Sequence, residues 1–119
     1  MLALDNGPLK GAALGHPLIE HEQADAFRYE PPPGKPRDWL LCDVVDDPDK
    51  VLALLERWVA QRACRRFVVN LKFGRTDPIP LLRRATGPSS PLARACVLLR
   101  ARHLFHDREE FTLVGELRA

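Results

Sequence analysis

The chain has 119 residues, 45% of them hydrophobic and 29% charged, which is the composition of one soluble globular domain. It contains no apolar stretch near the roughly 20 residues that cross a membrane, and no basic leader followed by an apolar core. We therefore expect a cytoplasmic protein with no membrane contact. Residues 1–60 hold 6 basic and 11 acidic side chains, whereas residues 61–119 hold 12 basic and 5 acidic. The basic half favours contact with nucleic-acid phosphates. The alternative is that the excess of arginine, 14 against 4 lysines, reflects only the base composition of the gene.

The N-terminal region predicts only short elements. Strands are expected at residues 2–4, 18–21 and 27–29, and one helical turn at residues 9–15. Asp5 follows the first strand directly, and Asp25 lies in the loop between the other two. The proline-rich stretch at residues 31–36 is interpreted as a stiff loop inside a single domain that covers residues 1–119.

A strand, a helix and a second strand are predicted in the middle of the chain. Residues 39–45 predict a strand that passes through Asp43, and residues 67–72 predict a buried strand that ends on Lys72. Between them Asp47 and a following proline predict a helix start, and the helix is expected to reach Arg62. Its predicted core face consists of Val51, Leu54, Leu55, Trp58 and Val59. Because such βαβ units are parallel and right-handed, Asp43 and Lys72 should lie at one edge of the sheet.

The remainder of the chain predicts a short helix at residues 81–85 and two strands at residues 97–105 and 111–117, separated by a polar turn at residues 106–110. These two strands are expected to form an antiparallel pair. The fold class is therefore α/β, with a mainly parallel sheet and a C-terminal antiparallel pair.

Strands that end at Asp5, Asp43 and Lys72 predict one polar site at the carboxyl edge of the sheet, with Glu110 at the start of the last strand. Neighbouring carboxylates keep a lysine charged, whereas desolvation lowers its pKa, so a lysine balanced between these two effects can act as a base toward a hydroxyl group. The alternative is an ion pair that merely closes the sheet.

Cysteine and histidine usage argues against a metal site. Cys42, Cys64 and Cys96 have neither CxxC nor Cys/His spacing, so we expect reduced, buried thiols. Cys42 is next to Asp43, but its apolar run favours a packing role over a nucleophilic one. The four histidines lack metal-ligand spacing, and the chain contains no P-loop, GxGxxG, GxSxG or HExxH motif.

Five short motifs occur in an order that points to a family. They are Leu4-Asp5-Asn6-Gly7-Pro8-Leu9, Ile19-Glu20-His21, Asp38-Trp39-Leu40-Leu41-Cys42-Asp43, Asn70-Leu71-Lys72 and His106-Asp107-Arg108-Glu109-Glu110. With them the chain resembles the C-terminal catalytic part of RlmM-type enzymes over residues 2–114. Those enzymes are FtsJ-like, S-adenosylmethionine-dependent methyltransferases that modify ribose 2′-hydroxyl groups of large-subunit ribosomal RNA.

The resemblance implies a role for each acidic site residue and for the lysine. Asp5 is similar to the acid that binds the cofactor ribose, Asp25 to the acid near the adenine, and Asp43 to the aspartate beside the methyl donor. Lys72 is similar to the general base that takes the 2′-hydroxyl proton. Glu110 would hold that lysine, and Glu109 is the alternative.

Parts of the family pattern are missing from this sequence. Three parts would precede residue 2: the glycine-rich cofactor loop with the strand before it, the first catalytic lysine, and the N-terminal domains that recruit the substrate. After Lys72 the family usually has further lysines, and residues 73–78 stand in their place here. This predicts a partial Rossmann-like methyltransferase fold without its first strand. The strands that end at Asp5 and Asp43 should then pair directly, or a second chain should fill the gap as a homo-oligomer or a complementing chain.

Three functional hypotheses remain. The first is 2′-O-methylation of ribosomal RNA by this chain or by the enzyme of which it is a fragment. The second is a catalytically inactive remnant that binds RNA or protein, and the third is a stand-alone fold with its own small-molecule site.

Overall fold

The computed structural model describes residues 1–5, 15–103 and 110–119. The helical turn predicted at residues 9–15 and the polar turn predicted at residues 106–110 fall largely outside these ranges. The described residues form six strands and three helices: β1 (Leu2–Asp5), β2 (Glu20–Gln23), β3 (Arg37–Cys42), α1 (Pro48–Ala60), β4 (Cys64–Lys72), α2 (Ile79–Thr86), α3 (Pro91–Ala95), β5 (Cys96–His103) and β6 (Glu110–Leu117). They belong to two compact units, Met1–Glu30 and Pro31–Ala119.

The first unit contains a two-stranded parallel sheet. β1 pairs with β2 from Leu2 opposite Glu20 to Asp5 opposite Gln23. The strand predicted at residues 18–21 is thus shifted by two residues. The strand predicted at residues 27–29 is wrong: the Asp25 side chain accepts a hydrogen bond from the Phe27 amide at 2.9 Å, and a turn forms there instead.

The second unit contains a four-stranded sheet with the order β3-β4-β6-β5. β3 and β4 are parallel and α1 connects them, so the predicted βαβ unit is confirmed. β6 is antiparallel to both of its neighbours, β4 and β5, which confirms the predicted antiparallel pair. The described chain is therefore a mixed α/β protein with two sheets.

The prediction that the first and third strands close on each other is wrong within the described residues. β1 pairs with β2 and β3 pairs with β4, so each strand has its partner inside its own sheet. β2 begins only 15 residues after β1 ends, and this nearby strand satisfies the backbone groups of β1.

Helix α1 forms for the reasons expected from its sequence. The Asp47 side chain accepts a hydrogen bond from the Asp49 amide at 2.9 Å, and Pro48 occupies the first turn. The helix ends at Ala60, two residues before the predicted end, and Arg62 takes a positive φ of 50° as the chain turns into β4. The buried face of α1 consists of Val51, Leu52, Leu54, Leu55, Trp58 and Val59.

The alternation of side chains along β4 gives the sheet two different faces. Phe67, Val69 and Leu71 are fully buried on the face toward α1. The intervening residues, which include Asn70 and Lys72, are half-buried on the opposite face. That opposite face carries the polar residues described below.

Helix α3 was not predicted. Ser90 caps it, because its hydroxyl accepts from the Leu92 amide at 3.1 Å, and Pro91 is the first helical residue. Read by itself, the Gly-Pro-Ser-Ser-Pro stretch at residues 87–91 predicts a break, yet the same residues start a helix of five residues.

Candidate active site

Lys72 and Asp43 form an ion pair at the carboxyl ends of two neighbouring parallel strands. Lys72 is the last residue of β4, and Asp43 directly follows β3. The Lys72 Nζ atom lies 2.9 Å from Asp43 Oδ1. The lysine side chain is 27% exposed and the aspartate side chain 68% exposed. The structure thus brings together the two residues that the βαβ pattern predicted at one edge.

A second donor reaches the same carboxylate oxygen. Asn70 Nδ2 donates to Asp43 Oδ1 at 3.2 Å, and Asn70 Oδ1 accepts from the Thr112 hydroxyl at 2.8 Å. Sequence reasoning missed both residues. Asn70 could have been found, because it lies two positions before Lys72 and therefore on the same face of the strand. Thr112 could not, since its place depends on the register between β4 and β6.

These contacts keep the carboxylate ionised. The hydrogen bond from Lys72, followed by the one from Asn70, lowers the pKa of Asp43, and partial burial opposes the shift without cancelling it. Asp43 is therefore an anion at neutral pH, and its negative charge faces the Lys72 ammonium.

Glu110 lies beside Lys72 on the other neighbouring strand. It is the first residue of β6, it is opposite Lys72 in the antiparallel register, and it is only 8% exposed. Directly opposed residues of such strands have Cβ atoms about 5 Å apart. Lys72 is therefore flanked by one acidic residue on each side along the sheet. Glu109, the alternative partner, lies outside the described residues.

The other two predicted acids belong to the unit Met1–Glu30. Asp5 is the last residue of β1, as expected, and its side chain is outside the description. Asp25 lies in a loop, where one carboxylate oxygen accepts a hydrogen bond from the Phe27 amide and the other lies 3.8 Å from Arg28 Nε. Its side chain is 42% exposed.

An open cleft of about 580 Å³ adjoins the lysine. Lys72 forms one wall, together with the loop that follows β4, and the start of α1 forms the other. Its lining is Val45, Asp46, Asp47, Pro48, Asp49, Lys72, Phe73, Gly74 and Thr76. The cleft is open to solvent, and it lies where α/β proteins commonly bind ligands, at the carboxyl ends of parallel strands.

The three cysteines are free and buried, which confirms the predicted thiols. Burial raises the pKa of Cys42 and Cys96, and it raises the pKa of Cys64 to about 11. Buried thiols with raised pKa values are poor nucleophiles, so the structure agrees with a packing role for Cys42.

None of the described helices is long and apolar enough to span a membrane. Among the described residues, His, Cys, Asp and Glu side chains form no group of three or more that could hold a metal ion.

Comparison with known proteins identifies the relatives of the chain. A ribosomal RNA large subunit methyltransferase M from Laribacter hongkongensis is 41% identical over 93% of this chain. Proteins of the same name from a Marinomonas species and from Thauera aminoaromatica are 38% and 37% identical over 95% and 92% of it. This chain is a homologue of ribosomal RNA large subunit methyltransferase M. The resemblance predicted from the five motifs is confirmed.

The homology to methyltransferase M covers one part of that protein. The chain spans 32%, 33% and 30% of the length of these three relatives. The similarity therefore concerns about a third of each of these proteins. No family model matches the chain.

A solved structure shares the fold. The crystal structure of a possible exported protein from Bordetella parapertussis matches 99% of this chain and 53% of its own, with a TM-score of 0.56 and 18% identity. At this identity the likeness concerns the arrangement of strands and helices alone.

Proposed function

We propose that this chain is a catalytic segment of an S-adenosylmethionine-dependent methyltransferase that modifies ribose 2′-hydroxyl groups of large-subunit ribosomal RNA. The observation that carries the proposal is the 2.9 Å contact between Lys72 Nζ and Asp43 Oδ1 at the carboxyl edge of two parallel strands. The names of the homologous proteins support the ribosomal RNA substrate.

In this proposal Lys72 is the general base, and two acids assist it. Lys72 first loses its ammonium proton to solvent. The neutral amine then has the lone pair that takes the proton from the 2′-hydroxyl group, and proton removal makes the oxygen nucleophilic. Asp43 and Glu110 orient the amine beforehand and stabilise the ammonium that forms. Their positions on either side of Lys72 along the sheet support these roles. S-adenosylmethionine, when bound, supplies an electrophilic methyl group on its sulfonium.

The acids proposed to hold the cofactor are Asp5, Asp25 and Asp43. Carboxylates suit the hydroxyl and ammonium groups of S-adenosylmethionine, because an ionised carboxylate accepts several hydrogen bonds. The exposed side chains of Asp25 and Asp43 leave their oxygens accessible to such donors. The hydrogen bond from the Phe27 amide also limits the rotation of the Asp25 side chain, and a fixed carboxylate favours a defined contact with a ligand.

The fold proposal is a partial Rossmann-like methyltransferase domain over residues 1–119, without its first strand. The parallel βαβ unit β3-α1-β4 and the antiparallel β6 beside β4 support it. So does the location of Asp43 and Lys72, since ligands of open α/β sheets bind at the carboxyl ends of strands.

The catalytic roles are tested by methyl transfer to unmodified large-subunit ribosomal RNA. The chain is assayed alone and as a chimera in which it replaces the homologous third of the Laribacter protein. Lys72→Ala in the chimera should reduce transfer by about 100-fold or more, since general base catalysis contributes that much. Lys50→Ala is the control, because Lys50 is an exposed lysine of α1 that pairs with Asp46. Comparing Glu110→Gln with Glu109→Gln identifies the glutamate that assists Lys72.

Two outcomes of this assay contradict the proposed function. One is a chimera that transfers no methyl group although it is folded, which supports the RNA-binding remnant. The other is full activity of the Lys72→Ala variant. Cofactor binding is tested separately by calorimetry of the 119-residue chain with S-adenosylmethionine. Binding that Asp5→Ala abolishes supports the cofactor proposal, and no heat at millimolar cofactor contradicts it.

A further inference from the structure

The Asp43 carboxylate is held by more than its ion pair. Its side chain is 68% exposed, so water competes for both of its oxygens. An ion pair with such an exposed carboxylate contributes little by itself to holding that carboxylate in place. The amide of Asn70 adds a second, directional bond to the same oxygen, at 3.2 Å. The carboxylate thus has two donors, one on a flexible side chain and one on a short side chain of β4.

The Asn70 amide is itself fixed in one orientation. Its Oδ1 accepts from the Thr112 hydroxyl at 2.8 Å, which directs its Nδ2 group toward Asp43. A carboxylate only accepts hydrogen bonds, so the reverse orientation would place two acceptors against each other. Thr112 is 8% exposed, and a hydroxyl that is removed from water needs a partner. Asn70 satisfies it.

From these contacts we propose that Asn70 and Thr112 are positioning residues for the Asp43 carboxylate and, through it, for the Lys72 amine. The chain of bonds runs from Thr112 on β6 through Asn70 on β4 to Asp43 after β3. It therefore links β6, β4 and the segment after β3, and it ties the carboxylate to the register of the sheet. The effect of these hydrogen bonds on catalysis rests on the proposed role of Lys72. Their effect on the Asp43 carboxylate is independent of that role.

The proposal is tested by titrating the Asp43 carboxyl carbon by NMR in the 119-residue chain, with Asp43→Asn to assign the signal. Asn70→Leu removes the donor, and the Asp43 pKa should rise. Thr112→Val keeps the shape but removes the hydroxyl that orients the amide, and a smaller rise is expected. Thr112→Ser restores the hydroxyl and should restore the wild-type pKa. These measurements need neither RNA nor cofactor.

The matched control is Glu116→Gln. Glu116 pairs with Arg66 at 3.4 Å across the same two strands, β4 and β6, but far along them from Asp43. This variant should leave the Asp43 pKa unchanged. If Asn70→Leu does not fold, the comparison of Thr112→Val with Thr112→Ser still decides the question, because valine has the shape of threonine and serine is smaller.

The proposal is overturned if Asn70→Leu and Thr112→Val leave the Asp43 pKa unchanged while Lys72→Ala raises it, since the lysine alone would then hold the carboxylate. In the active chimera, Asn70→Leu should lower kcat by about tenfold with the KM for RNA unchanged, as expected for a misplaced catalytic group. A folded but inactive wild-type chimera would overturn the proposed function and leave the titration result valid.

Discussion

At the scale of single residues, the Asp43 carboxylate couples the stability of the fold to pH. Its pKa is lowered from 3.8 in the folded protein, mainly by the hydrogen bond from Lys72. The unfolded chain therefore takes up this proton first as the pH falls. The stabilisation that Asp43 provides is complete above its unfolded pKa, and it is lost as the pH falls through the lower, folded pKa.

We predict that Asp43→Asn lowers the free energy of unfolding by about 0.5 kcal/mol near neutral pH, a small value because the carboxylate is largely exposed. The difference from the wild type should disappear in acid, where the wild-type carboxylate is also neutral. Urea unfolding of Asp43→Asn, Lys72→Met and the double variant over a pH series measures the coupling between the two residues. A coupling that is equal at about pH 7 and about pH 3 would contradict the prediction.

At the scale of strands and helices, the packing of β4 against β6 leaves no room for a side chain at Gly115. Gly115 is directly opposite Phe67, and the fully buried Phe67 ring lies over the space that a side chain at Gly115 would occupy. A Cβ atom there would lie 2.5 Å from Phe67 Cε1, well inside van der Waals contact. The pairing of β4 with β6 therefore depends on a glycine at this position.

Gly115→Ala should lower the free energy of unfolding by about 1–3 kcal/mol, the usual cost of overpacking a core. The cost should be smaller in a Phe67→Leu background, because the shorter side chain leaves room for the methyl group. Urea unfolding of the two single variants and the double variant gives this comparison. Additive effects, or a Gly115→Ala variant as stable as the wild type, would show that the ring moves aside at little cost.

The same elements show what sequence patterns can reveal. The capping Asp47, the following proline and the apolar spacing along α1 act within one or two helical turns, so the βαβ unit and the Asp43–Lys72 pair were predictable. The insertion of β6 between β4 and β5 depends on contacts between residues distant in sequence. Thr112 contacts Asn70 only because β6 lies between β4 and β5, and no local sequence pattern predicts that position for β6. Helix α3 was missed because one turn of helix is too short for a periodic signal.

At the scale of the whole molecule, β3 lies at an edge of the four-stranded sheet. Two large apolar side chains on this strand are exposed, Trp39 at 49% and Leu41 at 67%. Edge strands with exposed apolar residues are templates for pairing with another chain. Since β1 and β3 have their partners in different sheets, the remaining prediction is that a second chain covers this edge.

We predict that the chain self-associates through β3 and that Leu41→Lys shifts it toward the monomer. Sedimentation velocity over a range of protein concentrations measures this shift. Val97→Lys is the matched control, because Val97 is also 67% exposed but lies on β5, the opposite edge strand. A wild-type chain that stays monomeric at the highest concentration would contradict self-association. Equal dissociation by both lysine variants would also contradict the assignment to β3, because a charge at either edge would then act through general repulsion between chains.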